Sequence, residues 1–223
     1  MSDVTDDTPP VGEDDLDEAA ADSPAAAAPM RKRPKPGERR VQILQTLAGM
    51  LEQPGAERIT TAALAAKLEV SEAALYRHFA SKAQMFEGLI EFIESSVFTL
   101  VNRITEHETS GAVQAQKIVA VLLQFGEKNP GMTRVMVGDA LVFEHERLTL
   151  RMNQFFDRLE SQLRQSLRAA AEAAGSPTPS VDAQALASAL SALAIGRLQR
   201  YARSGFKRLP TEHLEPALHR LTT

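Results

Sequence analysis

The chain has no cysteine and no tryptophan, and only two tyrosines, Tyr76 and Tyr201. Without thiols, disulfides, thiolate zinc sites and cysteine nucleophiles are excluded. No unbroken apolar run approaches the ~18 residues that suggest a membrane span. The first residues are acidic where a secretory leader carries a basic flank and an apolar stretch, so a soluble cytoplasmic protein is expected. There is no internal repeat and no convincing strand pattern. Nor is there a Ser-His-Asp set, a phosphate loop or a glycine-rich nucleotide turn, so nothing supports catalysis or a bound cofactor.

Basic residues are missing from residues 1–30, which hold nine acids: Asp3, Asp6, Asp7, Glu13, Asp14, Asp15, Asp17, Glu18 and Asp22. Together with its alanines and prolines, this composition buries too little apolar surface to offset ordering entropy, so residues 1–36 read as a disordered acidic tail and basic arm. The basic arm is abrupt. Residues 31–40 carry Arg31, Lys32, Arg33, Lys35, Arg39 and Arg40 against one acid, Glu38. A net charge of −4 therefore hides a local basic stripe that attracts phosphate.

The rest of the chain has helical periodicity throughout and predicts an all-α protein. A first helix runs from Glu38 to Glu52, with Val41, Leu44, Leu47, Ala48 and Leu51 on one face, and Pro54-Gly55 stops it. A second helix starts near Thr61 and turns Leu64, Ala65 and Leu68 inward; a third follows Ser71 and ends near His78. Ser81-Lys82-Ala83-Gln84 has capping-box form and opens a long helix reaching His107, with Phe86, Leu89, Ile93, Val97, Leu100 and Ile104 in register. Further helices are expected over about 113–127, 132–143, 146–174, 181–203 and 211–221.

Residues 59–82, ITTAALAAKLEVSEAALYRHFASK, carry the function. Two short helices joined by a tight turn at Glu69–Ser71, with small Ala65 at their closest approach, leave the second helix able to enter a major groove about 12 Å wide. Its exposed positions offer Glu72, Ala73, Tyr76, Arg77 and His78: an acceptor for cytosine, a small apolar contact for a thymine methyl, and phosphate donors. Thr60, Thr61, Ser71 and Lys82 stand at helix starts, where short donors clamp the backbone. His78 has no second ligand three or four residues away, so a metal role is not expected.

Thr60-Thr61, Leu64-Ala65, Val70-Ser71, Leu75-Tyr76-Arg77-His78-Phe79 and Ser81-Lys82, at this spacing, resemble the N-terminal signature of TetR-type regulators. The resemblance implies a helix-turn-helix head at residues 37–82 and a helical dimerisation and partner-binding body at 83–223. One position departs from the pattern. Glu69 stands where the family commonly has glycine. Either its backbone is left-handed, at a cost of roughly 1 kcal/mol, or the turn has another geometry. The body stretches FGEKNPGMTRV and ALVFEHERL further resemble the nucleoid occlusion factors, a TetR-type branch. These are dimers that bind palindromic chromosomal sites and antagonise the division protein FtsZ. That resemblance places an FtsZ-tail site between the fourth and fifth helices, at Phe92, Val121, Lys128 and Asn129. The residues alone leave Phe92 open, as anchor or as part of a wider buried face with Met85 and Leu89.

Two other features have plain readings. Glu144-His145-Glu146 does not converge on a helix, where neighbours point about 100° apart, and marks a helix boundary. The small residues of 188–196 suit either a four-helix dimer interface or intrachain packing. A ligand-responsive repressor is the alternative role. It requires a body pocket with convergent polar groups, and the apolar body residues are mostly Leu, Ala and Val.

Overall fold

The computed structural model describes residues 37–53 and 58–222. The acidic segment, the basic residues Arg31 to Lys35 and the Pro54-Gly55 stop lie outside the described residues. Nine α-helices run through the remainder: α1 (Glu38–Leu51), α2 (Thr61–Lys67), α3 (Glu72–Tyr76), α4 (Lys82–His107), α5 (Gly111–Lys128), α6 (Pro130–Met136), α7 (Glu146–Ala173), α8 (Pro179–Arg203) and α9 (Leu214–Thr222). Among the described residues there is no strand.

Side-chain caps explain where most of these helices start. Thr60 accepts from the Ala63 N–H at 3.1 Å, Ser71 from Ala74 at 3.3 Å and Ser81 from Gln84 at 3.2 Å. Ser110 does the same for α5, accepting from Val113. Each such cap contributes about 1 kcal/mol. The box expected at Ser81 closes one residue early: Gln84 accepts from the Ala80 N–H at 2.8 Å, not from that of Ser81. His145 caps α7, its Nδ1 accepting from the Arg147 N–H, so the Glu-His-Glu stretch is a helix boundary.

The core is one continuous cluster from Ile43 to Leu218. Its centre is α5, which packs against α4, α6, α7, α8 and α9. Ala115, Ile118, Val119, Leu122 and Leu123 are fully buried, as expected of a helix apolar on most sides. The antiparallel pair α7 and α8 forms the most extensive helix contact. Leu148, Met152, Phe155, Leu159, Leu163 and Leu167 are all buried, as their spacing predicts.

Three sequence expectations are corrected. In α1, Val41 is 53% exposed, and Ile43 is buried beside Leu47 and Leu51. In α4, Leu100 faces outward and Val101 is buried instead. Both stripes fit three-and-four spacing, so periodicity alone does not choose between them. The helix expected over 132–143 ends at Met136. Gly138 adopts φ +87, breaking α6 before a short 3₁₀ turn at Asp139–Leu141.

α1 meets α6 at a close approach. A Cβ on Gly131 would lie 2.2 Å from the Ala48 carbonyl oxygen. Only glycine lets the two backbones come this near.

Candidate nucleic-acid interface and partner groove

The turn between α2 and α3 follows from backbone bonding. After the C-cap Leu68, the Glu69 N–H donates to Ala66 O at 3.1 Å and the Val70 N–H to Ala65 O at 3.0 Å. This is a Schellman closure, which requires a left-handed residue at Glu69. Glu69 supplies it at φ +55, so the strained alternative is the one the chain adopts. Leu64, Ala65, Leu68 and Leu75 lock the helix pair beneath it, all buried.

That packing leaves one face of α3 in solvent. Glu72, Ala73, Tyr76, Arg77 and His78 are exposed, Tyr76 at 46%. The helix proper ends at Tyr76; Arg77 is its C-cap and His78 lies in the following turn. Arg40, counted with the basic stripe, holds that turn in place. Its Nη1 donates to the His78 carbonyl at 2.8 Å, and its guanidinium lies 4.1 Å over the buried Phe79 ring.

Three of the expected DNA-contacting side chains, Thr61, Glu72 and Lys82, are engaged with other side chains. Thr61 Oγ1 donates to Glu72 Oε2 at 2.5 Å, tying the start of α2 to the start of α3. The Glu72 carboxylate is therefore already accepting from within the protein. Lys82, the first residue of α4, pairs with Glu144 on the loop before α7 and lies 5.6 Å over the Phe86 ring. The Glu144 side chain is only 9% exposed and that of Lys82 25%. Removing one partner from a buried pair costs on the order of 3–5 kcal/mol, whereas an exposed ion pair contributes about 0.2–1 kcal/mol. Partial exposure reduces the first figure, yet the ranking stands: Lys82 keeps Glu144. Adjacent on the same loop, exposed Phe143 lies 6.0 Å beneath the Arg58 guanidinium. The sequence reading missed Glu144, because its partner is 62 positions away.

The second candidate region lies along α4 and α5. Phe92 is 47% exposed, whereas Met85 and Leu89, on its apolar line, are buried. Its ring centroid is 6.1 Å from that of Phe125. Asn129 Nδ2 donates to the Phe125 carbonyl at 2.8 Å, which brings Phe92, Phe125 and Asn129 together. Lys128 is exposed one residue earlier. Val121 lies farther along the α4–α5 seam, in a groove of about 420 Å³ with Leu100, Arg103, Ile104 and Lys117. At the end of that groove the Lys117 ammonium donates to Glu108 at 2.7 Å. That bond, then the Ser110 N–H, holds the Glu108 carboxyl below its ordinary value.

Among the described residues, no helix is long and apolar enough to cross a membrane. No group of three or more His, Asp or Glu among them could hold a metal ion.

Comparison with known proteins accords with this geometry. Residues 43–89 match the model of bacterial regulatory proteins of the tetR family, and residues 109–223 match the SlmA-like model, a tetracycline-repressor-like C-terminal domain. The chain is 52% identical to the nucleoid occlusion factor SlmA of Photobacterium profundum over 182 residues, covering 81% of this chain and 92% of that one. It is 53% identical to the SlmA of Idiomarina loihiensis, covering 78% and 89%. Among solved structures, the TetR family transcriptional regulator PfmR of Thermus thermophilus superposes with a TM-score of 0.66 at 20% identity, covering 81% of this chain and 97% of that one. FadR of Bacillus subtilis superposes at 0.65 and 12% identity, covering 82% and 97%, and shares the fold alone. With the head model and the SlmA-type body model in sequence, and 52% identity over an alignment that covers 92% of one such factor, the chain belongs to the SlmA family of TetR-type proteins.

Proposed function

We propose that this protein is a sequence-specific DNA-binding nucleoid occlusion factor, which inhibits FtsZ assembly over the chromosome. The observation that carries the proposal is the exposed α3 face, with Tyr76 in solvent, in a chain so close to the SlmA proteins. The head, residues 37–82, reads palindromic sites as one half of a homodimer, since protein and operator share a two-fold axis. Tyr76, Arg77, His78 and Ala73 face the groove. Thr60, Thr61, Ser71 and Lys82 contact or order the backbone side of the interface, and Glu72 sets the α2–α3 angle through Thr61. The body, residues 83–223, provides the dimer contact through α7 and α8.

The body also offers the α4–α5 seam to the FtsZ tail. Phe92 is the apolar anchor there, Val121 lines the continuation, and Lys128 and Asn129 supply a charge and a polar amide at one end. A half-exposed aromatic beside a lysine suits a segment with both apolar and acidic residues.

The test has two parts. Tyr76→Ala and His78→Ala are titrated against duplex DNA by gel shift, with an expected loss of about tenfold or more for each, near the lower end of a lost base contact. Unchanged affinity for both refutes the reading face. An FtsZ tail peptide is then captured with and without that DNA, using wild type and Phe92→Ala. Capture by wild type and loss with Phe92→Ala supports the seam, and equal capture by both refutes it.

A further inference from the structure

The loop between the 3₁₀ turn and α7 reaches the head at two points. Glu144 pairs with Lys82, the tip of α4. Phe143 lies under Arg58, on the stretch leading into α2. Farther along α4 the body is clamped again, by Arg147 to Glu87 at 2.8 Å and by Arg151 to Glu94 at 2.7 Å. Glu87 and Glu94 share one face of α4, and the Lys82–Glu144 pair stands apart at the head end. On the other side the head meets the body where α1 crosses α6 at Gly131, beside the Ala48 carbonyl and the Glu52 side chain, and where Leu44 of α1 packs on α4 at Gly88. These contacts set how closely the head approaches the body.

From these contacts we propose that Glu144 is a positioning residue for DNA recognition. Acting through Lys82, it fixes the angle at which the head is mounted and so sets the half-site separation that the dimer accepts. The inference rests on the DNA-binding, dimeric reading above. Its physical basis is the burial of Glu144. A nearly buried carboxylate holds its ammonium partner because water cannot replace it, so the α4 tip has one preferred place. Without that charge the tip of α4 is released, and the head tilts on its packing against α6 and α4. One inserted base pair moves a half-site by only ~3.4 Å along the duplex and by roughly a tenth of a turn around it. A small pivot of each head is enough to absorb that change.

The experiment uses the full chain and the palindromic duplex that the wild-type protein selects from a randomised pool. Affinity is measured for that duplex and for versions with one base pair inserted or removed at its centre. Wild type is expected to prefer the native spacing by about tenfold, the scale of one good base contact. Glu144→Gln should reduce that preference to about threefold or less, with thermal melting confirming a folded protein. The double exchange Lys82→Glu with Glu144→Lys rebuilds the pair with its charges reversed. It should regain the spacing preference even though its absolute affinity falls. A direct phosphate contact by Lys82 would not produce that recovery, and a role confined to fold stability would leave the spacing preference of folded Glu144→Gln unchanged. Wild-type preference retained by Glu144→Gln overturns the proposal, as does a folded double exchange that fails to regain it. Failure of the wild-type protein to select any duplex overturns the DNA-binding reading itself.

Discussion

Glu69 permits a sharp test of how the helix-turn-helix is built. Its φ of +55 is forced by the two hydrogen bonds that close α2, from Glu69 N to Ala66 O and from Val70 N to Ala65 O. A left-handed L-residue costs about 1–2 kcal/mol. Glycine removes that cost but loses about 0.5–1 kcal/mol more backbone entropy on folding. The difference favours glycine by roughly 0.5–1 kcal/mol. The comparison is between Glu69→Gly and Glu69→Ala, because both delete the same carboxylate and only alanine keeps the Cβ. For a chain of this size 1 kcal/mol moves Tm by about 2–4 °C, so Glu69→Gly should melt about 1–4 °C above Glu69→Ala. Calorimetry at a single protomer concentration is the assay, since association would otherwise shift Tm. A Glu69→Ala protein that melts as high as Glu69→Gly refutes the argument that steric strain resides in this turn.

Two further outcomes follow from the packing. Gly131→Ala places a methyl 2.2 Å from the Ala48 carbonyl oxygen, a backbone atom that cannot swing aside. It should cost about 1–3 kcal/mol, read as a lower denaturant midpoint, and an unchanged midpoint contradicts the close approach. Tyr201 donates to the Glu127 carbonyl at 3.1 Å, and burial, with the Glu127 and Glu52 charges, holds its phenol above the ordinary value. The neutral form is therefore favoured in the folded state. Its stability contribution is complete below the unfolded value of about 10 and is lost as pH rises through the raised folded value. Tyr201→Phe should cost about 1 kcal/mol at neutral pH, and its Tm should fall less steeply than that of wild type above pH ~10. Parallel Tm–pH curves would contradict this.

Much of the architecture was legible because helix signals are local. Thr60, Ser71 and Ser81 mark three helix starts from their own neighbourhood, and the α7 stripe from Leu148 to Leu167 names its own buried face. What was not legible depends on the partner surface. Val41 and Ile43 are equally apolar, and only the position of α6 and α4 against α1 decides that Ile43 is inside. Gly138 carries no local mark that separates a tolerated helical glycine from a left-handed stop. The same limit applies to the site. The exposed positions of α3 follow from periodicity, but the engagement of Glu72 by Thr61, of Lys82 by Glu144 and of the His78 carbonyl by Arg40 requires contacts across 11, 62 and 38 positions.

The brevity of α3 has its own consequence. Five residues make less than two turns, far below the roughly 12–15 residues at which a helix persists alone in water. Its shape exists only while Leu75 and Phe79 are seated in the core and Arg40 grips its trailing end. On the DNA-reading role proposed for this helix, a partly melted head would lose its selectivity as a whole, so sequence discrimination is expected to be all-or-none. It should disappear in the same step as the cooperative collapse of the residues beneath it.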